Sequence, residues 1–309
     1  DNVSISIQLT PYKGGEYWTK LEASAGGGTA PDVFWLNVLH LDSYVEGGIL
    51  DDMTDAIASS DIKDNFSDTL VNNYVRDGKN YAVPKDFDTN ALWYNKDLFD
   101  QAGVEYPTDD MTYDDLVALA TELKDKLPDG VYPFACPVDF QTWYYQTVYA
   151  NGGWILNDDA TETGYGDAKT QEGIQCWIDM IDAGLSPSAS TLSETGSDAM
   201  FEGEQIAMTL AGSYMVPEYA SNDTIKDKID CVEVPTFNGV EDNCINGLGF
   251  AVYEGSKQKE EAEKFAIWMG SSEAQKIQGE TGVVISARED AQQYFAKANG
   301  QYNLAAYTN

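Results

Sequence analysis

The sequence predicts an α/β fold in two domains. Its 309 residues could form one domain but suit two better. Short apolar runs alternate with stretches of helical periodicity, the pattern of strand–helix units. Polar residues cluster just past the ends of those runs, where open α/β sheets place their ligands.

In chain order, Val3-Ser4-Ile5-Ser6-Ile7-Gln8 alternates apolar and polar and predicts a strand over Val3–Leu9. The chain opens on it with no signal peptide, as a processed or trimmed product would. Glu16–Ala25 reads as a helix, with Tyr17, Trp18, Leu21 and Ala25 at helical spacing, ended by Gly26-Gly27-Gly28. No GK[ST] follows these glycines, so they cap a helix and do not cradle phosphate. Val33–Leu36 is continuously apolar and predicts a strand buried on both faces. Asn37 and His40 lie just past its end, and Leu41–Glu46 is a short helix stopped by Gly47-Gly48. This strand–helix order argues for a parallel component.

Tyr81–Val83 is a short strand ending at Pro84, and Ala91–Tyr94 is a second. Between them lies the polar stretch Lys85-Asp86-Phe87-Asp88-Thr89-Asn90, read as a loop on a rigid frame. Asn95 is placed to cap a following helix. A first domain crossing is expected at 104–110. Thr112 and Asp115 make a capping box for a helix with Tyr113, Leu116, Val117, Ala120, Leu123 and Leu127 on one face, stopped by Pro128-Asp129-Gly130.

Pro133–Pro137 reads as a strand. Thr142–Ala150 is aromatic-rich and capped by Asn151-Gly152-Gly153, and Asn157–Asp167 is a polar hairpin or loop without the spacing of a calcium loop. Thr170–Ala183 is a helix presenting Ile174, Trp177, Ile178 and Ile181. Ile206–Leu210 is a buried strand, and Gly212-Ser213-Tyr214 opens the next helix. Cys231–Val234 and Gly247–Tyr253 are strands, with a second crossing at 252–256. Helices follow at Gln258–Met269 and Glu273–Gly279, and 301–309 carries no strong signal. The expected division is 1–106 with 254–300 as one lobe, 107–253 as the other, and 301–309 returning to the second.

The charge excludes some partners. With 52 acidic and 18 basic residues, the formal net charge of −34 repels phosphate backbones and anionic membranes and favours neutral or cationic ligands. No apolar run approaches the ~20 residues that span a bilayer. The four cysteines, Cys136, Cys176, Cys231 and Cys244, form no CxxC pair. Cys231 and Cys244 flank a turn-rich segment and could form a disulfide. The single histidine rules out a histidine-rich metal site and leaves a serine hydrolase only one base. No G-x-S-x-G occurs. A glycosidase needs only two carboxylates, and Asp86 with Asp88 could supply them. Among 52 acids, though, close pairs arise by chance.

A neutral polyol needs carboxylates and amides for its hydroxyls and aromatic rings for its C–H face. Such groups recur at strand ends and glycine turns: Asn37, Asp86, Asp88, Trp143, Tyr144, Asn151, Tyr214 and Asn246. Each alone has a bland reading as a turn, core or capping residue. Together they favour a binding site.

Tyr17-Trp18-Thr19-Lys20-Leu21, Gly27–Asn37 (GGTAPDVFWLN), Ala82–Phe99 (AVPKDFDTNALWYNKDLF), Asn151-Gly152-Gly153, Phe201-Glu202-Gly203, Gly212-Ser213-Tyr214, Asn246–Val252, Ala262–Met269 and Gly282–Arg288 occur in this order. The ordered set resembles the extracellular sugar-binding proteins of ATP-driven (ABC) importers, the solute-binding proteins similar to maltose-binding protein. The resemblance implies a two-lobed periplasmic-binding-protein-like fold, with a ligand cleft between lobes joined by crossing strands and hinge closure on the ligand. It implies a non-enzymatic monomer, without metal or cofactor, that delivers a mono- or oligosaccharide to a membrane permease. Gly247 and Arg288, inside the matching segments, and His40, just past the end of the Val33–Leu36 strand, complete the expected ligand contacts. The resemblance also implies further segments at both ends, so the chain reads as shortened there, and an extracellular, cell-surface lipoprotein or periplasmic location. The family's lipid-anchor cysteine is not among these residues. The alternatives are a carbohydrate-active hydrolase using Asp86 or Asp88, and a binder of another polar or cationic solute such as a polyamine.

Overall fold

The computed structural model describes residues 3–11, 16–136, 141–157 and 160–308. The expectations at Pro137, Asp158 and Asp159 lie outside them. The strands, in chain order, are β1 (Val33–Asn37), β2 (Val75–Arg76), β3 (Lys79–Asn80), β4 (Ala82–Pro84), β5 (Asp86–Phe87), β6 (Asn90–Asn95), β7 (Tyr132–Phe134), β8 (Ile206–Gly212), β9 (Ile229–Val232), β10 (Leu248–Val252) and β11 (Ile285–Ser286).

The chain divides into two units, Asp1–Phe87 with Gly247–Ala298 and Asp88–Asn246 with Asn299–Asn309. The sequence places the first change of unit at 104–110; the structure has it at 87/88. β6 pairs with β8 and β9, so Asn90–Asn95 already belongs to the sheet of the second unit. The second change likewise falls at 246/247, before β10 and not after it.

The first unit is built on the antiparallel sheet β1-β10-β4. Phe34 and Leu36 point into a core with Leu21, Leu41, Tyr44, Leu50, Tyr74, Tyr81 and Ala251. β1 is not buried on both faces as its composition predicts. Trp35 points the other way and is 48% exposed, as alternation along a strand requires. Pro84 closes β4 at the sheet edge, where its missing N–H is tolerated. Val3–Leu9 forms no strand, and Val3, Ile5, Ile7 and Leu9 are all exposed. Alternation specifies which face a strand would bury but supplies no partner, and a lone strand is unstable.

The second unit is built on the sheet β7-β8-β6-β9, in which only β7 and β8 run parallel. β8 is buried at every residue. The helix Tyr113–Lys124 starts with the expected capping box of Thr112 and Asp115, and Asn95 caps Lys96–Ala102 through the Leu98 N–H. The helix Ala168–Asp182 buries Thr170, Gly173, Trp177 and Met180. Ile178 is outside that face because Gly173 packs directly on the backbone of Thr147 and Val148, which rotates the helix. The segment from 301, silent in the sequence, is anchored by Tyr307. Its hydroxyl accepts from Trp93 Nε1 at 2.6 Å and donates to the Ala211 carbonyl at 3.0 Å. All four cysteines are free thiols. Cys231 lies in β9 against the Asn303 carbonyl, so it is not bridged to Cys244.

Candidate ligand-binding site

The polar stretch after Pro84 is not an exposed loop. Lys85, Asp86, Phe87, Asp88, Thr89 and Asn90 are all buried. Their backbone is laddered: β5 pairs with β11, Lys85 N–H donates to the Leu248 carbonyl at 2.8 Å, and Asp88 and Asn246 exchange bonds of 2.7 and 2.9 Å. Such pairing satisfies the main chain and leaves the buried side chains to find their own partners.

In the first unit, Lys85 Nζ forms an ion pair with Asp86 Oδ2, and Asp86 Oδ1 accepts from the Leu248 N–H at 2.8 Å. The same ammonium lies 4.7 Å from the centre of the Trp35 ring. Gly247 must be glycine, since a Cβ there would lie 2.5 Å from the Asp86 carbonyl. Asn37 caps the turn Val38–His40, its side-chain oxygen accepting from the Leu39 N–H at 3.0 Å. His40 stacks on Trp18 at 4.1 Å and leans on Tyr44. Burial pulls its pKa below the usual imidazole value, with Glu22 opposing weakly. Arg288 is 5% exposed, and its guanidinium bonds Asp61, Asp290 and the Gly270 carbonyl.

In the second unit, four expected or neighbouring groups meet. Ser213 Oγ donates to Asp88 Oδ1. A Cβ on Gly212 would fall 2.5 Å from both Asp88 Oδ2 and the Tyr214 ring, so only the bare glycine leaves room for both. Tyr214 is 38% exposed. Asn246, held against Asp88 by its backbone, has a buried Oδ1 with no hydrogen-bond partner. Burial, with Asp88 nearby, pushes the Cys244 thiol up to about 11, so it is a neutral neighbour.

Three other expected contacts of this unit have partners of their own. Trp143 and Tyr144 belong to its hydrophobic core, and the Tyr144 hydroxyl bonds that of Tyr165 at 2.5 Å. Asn151 Nδ2 donates to the Lys169 carbonyl at 2.8 Å, and its oxygen accepts from Asn238 at 2.8 Å. Ser213 and Lys85 were not singled out by the sequence. Their signal was present, since each adjoins a residue that was, but local sequence does not say which acid a hydroxyl or an ammonium will find.

Carboxylate, hydroxyl, exposed phenol ring and an amide oxygen awaiting a donor suit a neutral polar ligand. Among the described residues no group of three or more His, Cys, Asp or Glu could hold a metal ion, and no helix is long and apolar enough to cross a membrane.

Comparison with known proteins agrees. Residues 2–276 match the bacterial extracellular solute-binding protein family. An ABC substrate-binding protein from Listeria monocytogenes, solved in complex with cycloalternan, is 32% identical with a TM-score of 0.84; the match covers 96% of this chain and 76% of that one. A Brucella abortus protein named in general terms as a binding protein is 27% identical over 320 aligned residues, 99% of this chain and 74% of its own. The diacetylchitobiose binding protein of Streptomyces coelicolor is 26% identical over 260 residues, 80% of this chain and 58% of its own. The chain therefore belongs to the bacterial extracellular solute-binding proteins, which bind and hand on solutes and are not enzymes.

Proposed function

We propose that the protein binds a mono- or oligosaccharide and presents it to the permease of an ABC importer. It does so as a monomer at the outer face of the cell, as a lipoprotein or in the periplasm. The observation that carries the reading is the grouping of Asp88, Ser213, Tyr214 and Asn246. A sugar hydroxyl donates to Asp88, another fills the vacant acceptor on Asn246, and the Tyr214 ring takes a C–H face. In the first unit, taken by itself, Asn37, Asp86 and Gly247 are proposed as ligand contacts. His40 and Arg288 in the first unit, and Trp143, Tyr144 and Asn151 in the second, are proposed as further ligand contacts. Two of the relatives support the sugar class, being named or solved with cycloalternan and diacetylchitobiose.

Isothermal titration of the purified protein against a panel of maltodextrins, chitobiose, arabino-oligosaccharides and hexoses tests it. Saturable binding of at least one is expected. Tight binding of spermidine and of no sugar would replace the reading with that of a cationic solute, which the net charge of −34 would also suit.

A further inference from the structure

Asp51, in the first unit, is a carboxylate buried without a full set of partners. It follows the isolated bridge between Leu50 and Tyr253 and is 5% exposed, and its N–H donates to the Val252 carbonyl at 2.9 Å. Its Oδ1 takes the Lys259 ammonium at 3.0 Å, which also pairs with Glu254 at 2.8 Å. Its Oδ2 is buried and meets no hydrogen-bond donor among the described residues. The carboxyl of Glu263, one turn beyond Lys259 on the helix Lys259–Met269, lies within hydrogen-bonding reach of Asp51. The carboxyls of Asp51, Glu254 and Glu263 thus crowd one ammonium. Asp52 and Glu260, the next acids nearby, are taken up by Lys79 at 3.2 Å and Lys264 at 2.8 Å. A metal ion could relieve such crowding, yet among the described residues no group of three or more acids, His or Cys could hold one. The remaining cation is a proton.

We propose that Asp51 and Glu263 share one proton, and that this carboxyl–carboxylate hydrogen bond is a pH-sensitive latch between the helix Lys259–Met269 and the segment that follows Leu50. The proton supplies the donor that Oδ2 lacks and removes one of the negative charges that Lys259 leaves uncompensated. Two carboxyls held together out of water do not readily ionise together. Burial raises the pKa of Asp51 against the pull of Lys259, and that of Glu263 with Asp51 adding to it. The folded pair therefore keeps its proton at a pH where unfolded carboxyls have lost theirs. Its contribution to stability is full below the ordinary carboxyl values and is lost as pH rises through the raised folded value. His40 acts in the opposite sense, since its lowered pKa favours unfolding in acid. The latched helix packs on β10, β4 and the helix Thr54–Ala58, so the proton acts on the sheet of the first unit.

Glu263→Gln replaces the titrating donor by a permanent amide donor. In thermal melts of the whole chain it should raise the midpoint by about 2–4 °C at about pH 8. The gap from wild type should close by about pH 4.5, where the wild-type pair holds its proton. The contribution of His40 cancels in that difference. Asp51→Asn, whose amide can donate to Glu263 while its oxygen keeps Lys259, should show the same closing gap and serves where Glu263→Gln does not fold. Infrared difference spectra between about pH 8 and 5 should show a protonated-carboxyl stretch that is weaker in Glu263→Gln by the share of one group. A midpoint unchanged or lowered at the higher pH, a gap that stays constant as pH falls, or a carboxyl band of equal strength in wild type and Glu263→Gln overturns the shared proton.

Discussion

The Ser213 hydroxyl donates to the Asp88 carboxylate across 125 positions of sequence. The bond fixes one carboxylate oxygen against the hydroxyl. Asp88→Asn keeps the shape of the side chain and an acceptor for Ser213 but removes the charge. Hydrogen bonds to charged groups contribute about 1.5–3 kcal/mol, so sugar affinity should fall about ten- to a hundredfold. Titration calorimetry would show it, and unchanged affinity would remove Asp88 from the site.

Gly212→Ala should harm both fold and binding. Its Cβ would lie 2.5 Å from Asp88 Oδ2 and from the Tyr214 ring, and overpacking of this kind costs about 1–3 kcal/mol. Gly26→Ala is the control, since a Cβ there meets nothing within 4 Å and a helical position prefers alanine. Urea denaturation should separate the pair. Equal midpoints would show that Gly212 has room to spare.

Tyr307→Phe removes one oxygen that serves two groups. Trp93 Nε1–H and the Ala211 carbonyl both bond it, and Trp93 and Tyr307 are 0% and 2% exposed. A buried donor left without a partner costs about 1–3 kcal/mol. Chemical denaturation should report a loss in that range, with sugar affinity changed less than in Asp88→Asn.

His40 gives a pH dependence with a definite sign. Its folded pKa lies below the ordinary 6.5, chiefly through burial. The unfolded chain therefore binds the proton more readily, and acid favours unfolding. The contribution of the neutral ring is full above the ordinary value and declines as pH falls through it toward the lowered folded pKa. As the single histidine, it titrates alone of its kind in that window. His40→Gln should flatten the stability profile between about pH 7 and 5.5. An unaltered slope in thermal melts would contradict the assignment.

The sequence was most informative where a signal is local. The capping box at Thr112 and Asp115, the cap at Asn95 and the buried strand from Ile206 are all present, because each is decided within a few residues. Partners distant in sequence were not legible. Nothing near Val3 says whether a neighbouring strand exists, and nothing near Lys85 says that it is buried over Trp35. Polarity misled for Lys85–Asn90: six residues rich in oxygen and nitrogen read as a surface loop, yet strand pairing from 246–248 and 285–286 buries them. The grouping proposed as the site was half legible for the same reason. Asp88, Tyr214 and Asn246 were identified by type, while Ser213 on Asp88 and the tight fit at Gly212 exist only once β6 and β8 are paired.

Tyr307 has a further consequence, for the order of synthesis. It closes the space beside Trp93 from a position 214 residues later, and the first unit likewise needs β10 between β1 and β4. Neither unit can finish folding as its early residues leave a ribosome or a translocation channel. The usual sequence of completed N-terminal domain, then next domain, is closed to this chain. Through most of its emergence it must remain an unfinished substrate for chaperones, and a truncation just short of Tyr307 should leave the second unit as a nearly complete sheet without its final closure.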